Sequence, residues 1–344
     1  MGAEPRPLDS RLPEAPAEHQ LYRTAMACAQ PMAGFYHQNM RVQTPDGPVV
    51  VRVPIVAADR MDLVIWPEHG ILRAIQAYVR HVPRLRNVSD EPAYQLVDWI
   101  DGNLLDDFAP DGFQAPEHVI RDLGQLFAQL GQVPLEQLPP LPSGWPADGA
   151  TDAFAHQLSE ITTGVHARFA SEFGDLFDAL GFPADPIEPV LERWSVLSPR
   201  PFRLLHTDLH RKNMIVDGRT TYFLDWELAL WGDPVYDLAG HLHKMAYQPD
   251  EEEAARAAWL AAMPADATVE WRADLAIYLA HEQVKSAIVD SVRYAKLTAA
   301  DAEPPDADAA LIDKLTAKVR AAHAVWKTGR APDRTTIEGC VRNR

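Results

Sequence analysis

Between Phe202 and Trp226 the order of polar and apolar residues leaves the backbone few choices. FRLLH (202–206), NMIV (213–216) and TYFLDW (221–226) are short apolar runs, separated by polar stretches. Such runs read as strands, and Asp217-Gly218 supplies a turn because Gly accepts positive φ. The path is strand, loop, strand, turn, strand, and it can return three residues to one end of a small sheet. Asp208 lies on the loop after the first strand, Asn213 where the second begins and Asp225 where the third ends. Two carboxylates and one amide are hard oxygen donors. They suit Mg²⁺, which keeps several waters and shares its shell with substrate phosphates. They do not suit zinc, since no Cys is near. His206, His210 and the pair His241 and His243 are too few to specify a metal hydrolase.

The flanking sequence predicts an α+β chain with a small β-rich N-terminal part and a larger helical part. Residues 1–16, rich in Pro, Ala and charge, read as an arm. A helix is predicted over 17–29. Strands over 35–43 and 48–54 form a hairpin through Thr44-Pro45-Asp46-Gly47, since Pro presets φ and Gly allows positive φ. Apolar residues at three- to four-residue spacing predict a helix over 61–80, and 92–100 reads as a buried strand. Beyond Asp101-Gly102 the chain is mostly helical up to Pro201. Helices are again predicted over 235–246, 250–263, 269–297 and 305–327, with 301–308 as a surface linker. The organisation is an arm (1–16), a first lobe (17–97), a connector (98–103) and a second lobe (104–344).

Composition narrows the partners. An apolar fraction of 47% supports a sizeable core. Lys and Arg total 32 against 49 Asp and Glu, a formal net charge of -17. That balance excludes a general binder of nucleic-acid polymers or anionic membranes. Cys28 and Cys340 lie at opposite ends and make no disulfide framework, and no apolar run resembles a signal peptide or a membrane span. A cytoplasmic location is the expectation. Only 7 of the basic residues are Lys, and the first is Lys212. Any cation needed earlier in the chain must be Arg or His.

His206-Thr207-Asp208-Leu209-His210-Arg211-Lys212-Asn213 resembles the catalytic loop of kinases, H-x-D-x-x-x-x-N. Leu224-Asp225-Trp226-Glu227 and Gly232-Asp233-Pro234-Val235-Tyr236-Asp237-Leu238-Ala239 are similar to the segments that follow it in the aminoglycoside phosphotransferase and choline kinase-like small-molecule kinases. The resemblance is specific over 204–241 and loose over 30–245. It implies a bilobal protein kinase-like fold, ATP or GTP as phosphoryl donor, and Mg²⁺. Asp208 is then the catalytic aspartate, with Asn213 and Asp225 on the metal. His206 and Asp237 support the loop. Arg52, on the face of its strand opposite Val49, Val51 and Val53, takes the phosphate-binding position, and a guanidinium can fork onto two phosphate oxygens. Glu68 is its expected partner. The first lobe becomes the nucleotide-binding lobe and 98–103 the hinge, where backbone groups at Asp98 and Ile100 meet the base. No G-x-G-x-x-G loop is present. Gly34 to Val42 instead resembles the looser Gly-x-x-x-x-Asn pattern.

The same resemblance puts the acceptor among the helices of the second lobe, with Asp233, Glu227, Glu282 and Asp290 as candidate contacts. Five Asp and no base in 98–111 suggest an acidic funnel for a cationic acceptor. The implied activity is transfer of a γ-phosphoryl group to a hydroxyl of an antibiotic or related metabolite. The alternatives are a choline, sugar or amino-alcohol kinase and a nucleotide-binding pseudokinase. The intact Asp208, Asn213 and Asp225 weigh against the last. Oligomeric state is left open.

Overall fold

A computed structural model of the protein describes residues 17–27, 31–32, 34, 36–56, 58–299 and 305–342. The expected arm (1–16) and the first half of the linker lie outside them. In chain order the first elements are α1 (Ala17–Met26), β1 (His37–Thr44), β2 (Gly47–Pro54), α2 (Glu68–Ile75), β3 (Leu85–Asp90) and β4 (Ala93–Asp98). The chain divides into two compact units. One holds the described residues up to Arg60 together with 83–100, and the other holds 61–82 with everything from Asp101 onward.

In the first unit an antiparallel sheet runs β1-β2-β4-β3. The hairpin closes with Thr44 opposite Gly47. Thr44 Oγ1 donates to Gly47 O (2.6 Å) and accepts from Asp46 N (3.2 Å), while Gly47 takes φ 109°, open to glycine and costly for other residues. Alternation buries Met40, Val42, Val49, Val51, Tyr94 and Leu96, and α1 covers them with Leu21, Tyr22 and Ala25. β3 is an edge strand with no fully buried residue, so it carried no apolar alternation to read.

The expected helix over 61–80 shrinks to Glu68–Ile75. Pro67 is the reason: it sits at the N-cap with φ -68° and ψ 136°, and a proline disfavours helical backbone in the residue before it. Residues 61–82 also join the second unit, not the lobe assigned to 17–97. Trp66 Nε1 donates to Pro140 O (3.0 Å), Arg80 N to Gln129 Oε1 (2.7 Å), and Phe223 N to His81 O (2.9 Å).

The second unit continues with β5 (Asn103–Leu104), α3 (Leu105–Phe108), α4 (Glu117–Leu130), α5 (Thr151–Ala179), α6 (Glu188–Leu191), β6 (Arg203–Leu205), β7 (Met214–Asp217), β8 (Thr220–Phe223) and β9 (Leu230–Gly232). It ends with α7 (Pro234–Met245), α8 (Pro249–Ala262), α9 (Trp271–Ala299), α10 (Pro305–Trp326) and α11 (Arg334–Arg342). One small sheet runs β5-β7-β8, and β6 pairs with β9. Gly102 permits the β5–β7 approach: at φ 128°, a Cβ there would stand 2.5 Å from Val216 O. α5, α7, α9 and α10 bury the large apolar side chains, including Trp194, Phe154 and Tyr278. α10 begins inside the stretch read as a linker. Among the described residues no helix is long and apolar enough to cross a membrane.

Candidate active site

Strand β6 hands the chain to His206, Thr207 and Asp208. Thr207 has φ 63°, a left-handed conformation that costs a β-branched residue about 1–3 kcal/mol. Three bonds hold it there. Its N–H donates to Asp237 Oδ1 (2.7 Å), its Oγ1 donates to Leu228 O (2.7 Å), and its carbonyl accepts from Lys244 Nζ (2.9 Å). Asp237 Oδ2 also accepts from His206 N (2.9 Å). Burial lifts the Asp237 carboxyl to about 6, against the pull of these two backbone donors.

His206 is fully buried, and burial lowers its pKa to about 4, so the ring is neutral. Its Nε2–H faces Leu224 O at 3.0 Å, and its Nδ1 accepts from Asp208 N at 3.3 Å. The ring thus joins the Asp208 loop to the approach of Asp225. Leu224 N donates to Asn213 O (2.9 Å), and Trp226 N to Glu68 Oε1 (3.1 Å). Asp225 itself turns at φ 63°, a region that Asp tolerates better than most residues.

Asp208 is the centre of the cluster. Lys244 Nζ donates to its Oδ1 at 2.7 Å, Asn213 Nδ2 donates to its Oδ2 at 2.8 Å and to its carbonyl at 3.0 Å, and His210 Nε2 lies 3.4 Å from Oδ2. Burial alone would raise its pKa. Lys244 and His210 outweigh that and hold the carboxylate well below its ordinary range. Asn213 spends its amide nitrogen on Asp208, which leaves its carbonyl oxygen as the donor for a cation. Among the described residues no group of three or more His, Cys, Asp or Glu is arranged to hold a metal. An amide oxygen and the Asp225 carboxylate fit Mg²⁺ of the kind completed by water and phosphate oxygens.

One face of α7 carries the loop. Asp237, His241 and Lys244 follow at i, i+4 and i+7 and bond in turn to His206 and Thr207, to Leu209 O (3.0 Å), and to Thr207 and Asp208. Lys244 was missed by sequence reasoning. The spacing from Asp237 is the signal that could have found it. Arg211, also missed, is buried and donates to Met245 O (2.9 Å), at the end of α7, and to Ala109 O (2.5 Å).

The remaining candidates are divided between the two units. Asp208, Asn213, His206, Asp237 and Glu68 come together in the second unit. Arg52, half-buried on β2 opposite Gln95, belongs to the first unit with Asp98 and Ile100. Asp98 donates its amide to Arg84 O (3.0 Å) and pairs its carboxylate with the Arg86 guanidinium. In the second unit Asp111 pairs with Lys314 (2.9 Å), so the acidic run is partly neutralised.

Three acceptor candidates are already paired within the fold. Asp233 is fully buried: it caps α7 by accepting from Val235 N (3.0 Å) and takes Arg200 on both oxygens (3.0 and 2.8 Å). Glu282, 2% exposed, accepts from Tyr236 OH (3.0 Å) and faces Lys285 (3.4 Å). Asp290, 5% exposed, pairs with Lys318 and with Arg293 (3.5 Å). These carboxylates are spent on cations of the fold. Glu227 lies two residues past Asp225, on the turn before β9.

No curated protein matches the chain in sequence. Solved structures do match in fold. A choline/ethanolamine kinase family protein from Mesorhizobium loti aligns with TM-score 0.56 at 16% identity, over 95% of this chain and 99% of that one. The aminoglycoside phosphotransferase APH(4)-Ia aligns with TM-score 0.55 at 14% identity, over 91% and 98%. The macrolide 2'-phosphotransferase MphH from Brachybacterium faecium aligns with TM-score 0.50 at 17% identity, over 92% and 99%. The fold is therefore that of the protein kinase-like phosphotransferases. The model of the APH phosphotransferase enzyme family matches residues 28–273, and the chain that builds this Asp208 loop belongs to that family.

Proposed function

We propose that the protein transfers the γ-phosphoryl group of ATP to a hydroxyl of a small organic acceptor, an antibiotic or related metabolite. One observation carries the reading: Asp208 keeps an ionised, partly exposed carboxylate on its loop, bonded to Asn213 and Lys244. An anionic carboxylate there orients an incoming hydroxyl and takes its proton late in transfer. Lys244, within bonding reach of Asp208, counters negative charge where the phosphoryl group would pass. Bound Mg²⁺, held by Asn213 and Asp225, would neutralise phosphate charge. Arg52 would take the nucleotide phosphates, and backbone at Asp98 and Ile100 the base. Glu68 would serve the nucleotide side by fixing the backbone that follows Asp225, and Glu227 the metal or the acceptor. A related structure of the same fold, a thermostable APH(4)-Ia mutant, is a ternary complex with AMP-PNP and hygromycin B, which supports an adenine nucleotide and a small-molecule acceptor.

The test is a mass-spectrometric screen of antibiotics and metabolites with ATP, GTP and Mg²⁺. A phosphate mass shift that disappears in Asp208→Asn names the acceptor. A shift that persists in the variant would remove Asp208 from the chemistry. Arg52→Ala is expected to raise the KM for ATP about tenfold, of the order of one lost charged hydrogen bond. An unchanged KM would remove Arg52 from the nucleotide site.

A further inference from the structure

The sheet of the first unit has two faces, and α1 covers one of them. Met40, Val42, Val49, Val51, Tyr94 and Leu96 form that covered face. Alternation turns the intervening residues to the other side. There the register sorts them into two rows. Asn39, Arg52 and Gln95 stand opposite one another in a polar row across three strands. Arg41, Val50 and Val97 form the next row. The rows are two residues apart along each strand, about 6.5–7 Å. A polar row that holds Arg52 and a mainly apolar row thus lie side by side, as do the phosphates and the base of one nucleotide.

The apolar row has a cation at one end, and that cation is stacked. Trp99 follows β4, and Arg41 Cζ lies over its ring, 4.5 Å from the centroid. A guanidinium is planar, stacks on aromatic rings, and has two faces. Trp99 covers one of them. Arg41 is exposed, so the other face is open to a second flat group. The geometry also says which chemistry fits. A carboxylate or phosphate takes the edge of a guanidinium, where the N–H groups point, whereas its face takes a π-system. A nucleobase is such a system, and bases stack on Arg planes as they do on aromatic rings.

We infer that Arg41 is the base-stacking and selectivity residue of the nucleotide site: the purine lies on the open face of its guanidinium, backed by Trp99, while the phosphates reach Arg52. The inference rests on the nucleotide part of the proposed function. Stacking senses the area of the ring and not the donor pattern at its edge. The site therefore prefers purines to pyrimidines, and Arg41 carries the preference.

The probes are ADP, CDP and inorganic tripolyphosphate, titrated with Mg²⁺ into the full chain and followed by calorimetry and tryptophan emission. ADP is expected to bind at least about tenfold more tightly than CDP. Arg41→Ala should weaken ADP about tenfold and bring the ADP-to-CDP preference below about threefold. Arg41→Lys keeps the charge and loses the plane, and should behave like Arg41→Ala. Trp99→Phe keeps a ring and should hold ADP within about threefold, but lose the emission change that ADP causes in the parent chain. Tripolyphosphate isolates the phosphate side. Arg52→Ala should weaken it, whereas Arg41→Ala should leave it within about threefold in about 0.15 M salt. Equal affinity for ADP in the parent chain and Arg41→Ala overturns the inference and leaves the nucleotide reading standing. Full rescue by Arg41→Lys, or equal loss of ADP and tripolyphosphate in Arg41→Ala, makes Arg41 a phosphate ligand and overturns it too. A parent chain that binds neither ADP nor tripolyphosphate overturns the nucleotide reading, and the stacking role falls with it.

Discussion

Helix α7 carries an ion cluster at each end, and the two do opposite work. At its N-terminus Asp233 meets Arg200, which also reaches Asp274 (2.6 Å), and Tyr278 OH donates to Asp233 Oδ2 (3.0 Å). The side chains of Arg200, Asp233 and Asp274 are 0%, 0% and 2% exposed. At its C-terminus Lys244 meets Asp208, with exposures of 23% and 18%. Each cluster pairs a carboxylate with a cation at under 3 Å. They differ in access. The closed cluster has no face left for a ligand and fixes where β6, α7 and α9 meet. The open one keeps a carboxylate partly exposed to solvent. Charge alone does not fit an aspartate for proton transfer; an accessible edge is needed as well.

The largest contrast is in turnover. Asp208→Asn preserves size but removes the proposed proton acceptor, and is expected to lower kcat by about 10²–10⁴-fold with little change in Tm. Asp233→Asn should leave turnover per folded molecule near normal while lowering stability. Phosphate transfer followed by mass spectrometry, with thermal unfolding alongside, separates the two. A large kinetic defect in Asp233→Asn would erase the distinction between the ends.

Next in size is the closed cluster itself. Arg200→Met leaves Asp233 and Asp274 buried without their cation, at a cost of about 3–5 kcal/mol in urea unfolding. Adding Asp233→Asn and Asp274→Asn should recover much of it, since removing all members of a buried ion cluster is far milder than removing one. A loss below about 1 kcal/mol in the single variant would show that the cluster is not what fixes this junction.

Acid should loosen the Lys244 end of α7 and the loop it carries. Burial lowers His206 to about 4, His241 to about 3 and His243 to about 4. Their unfolded values lie near 6.5, so the unfolded chain takes protons first. The stabilising effect of keeping them neutral is complete above pH of about 6.5 and is lost as pH falls toward 4. Asp237, raised to about 6, acts the other way: its folded carboxyl protonates before the unfolded one, which adds stability as pH drops from about 6 toward 4. Three shifts outweigh one, and each unit is about 1.4 kcal/mol. The midpoint of urea unfolding should therefore fall between pH 6.5 and 4, and His243→Gln should flatten the slope. A flat profile over that range would deny the burial of these rings.

The comparison also explains what the sequence could disclose. Asp208, Asn213 and Asp225 were legible because a short strand–loop–strand path fixes their spacing locally. The hairpin around Gly47 was legible for the same reason. Strands β5 and β9, of two and three residues, exist only because β7 and β6 offer them partners. The fate of Asp233 was hidden because its partner, Arg200, stands 33 residues earlier, and that of Asp290 because Lys318 stands 28 later. Lys244 lay between these cases: its helix was predicted, but its role depends on which face of that helix meets the loop. At Pro67 the sequence did hold the answer, since a proline inside a helical pattern marks a boundary.

The smallest effect belongs to the rim of the open cluster. His210 is 26% exposed, with Nε2 3.4 Å from Asp208 Oδ2 and Nδ1 accepting from Lys212 N at 3.3 Å. Both contacts are long, and one hydrogen bond of this kind is worth about 0.5–1.5 kcal/mol. His210→Ala is expected to cost about 1 kcal/mol of stability and about two- to fivefold in kcat, because Lys244 and Asn213 still hold the Asp208 carboxylate. Its neighbour Arg211, 1% exposed and bonded to Met245 O and Ala109 O, is the internal control. Arg211→Ala should unfold more easily than His210→Ala, since it strands two buried carbonyls and leaves a void. If His210→Ala instead matched the kinetic loss of Asp208→Asn, the proton acceptor would be the Asp208–His210 pair, and access at this end of α7 would count for more than the lysine that closes it.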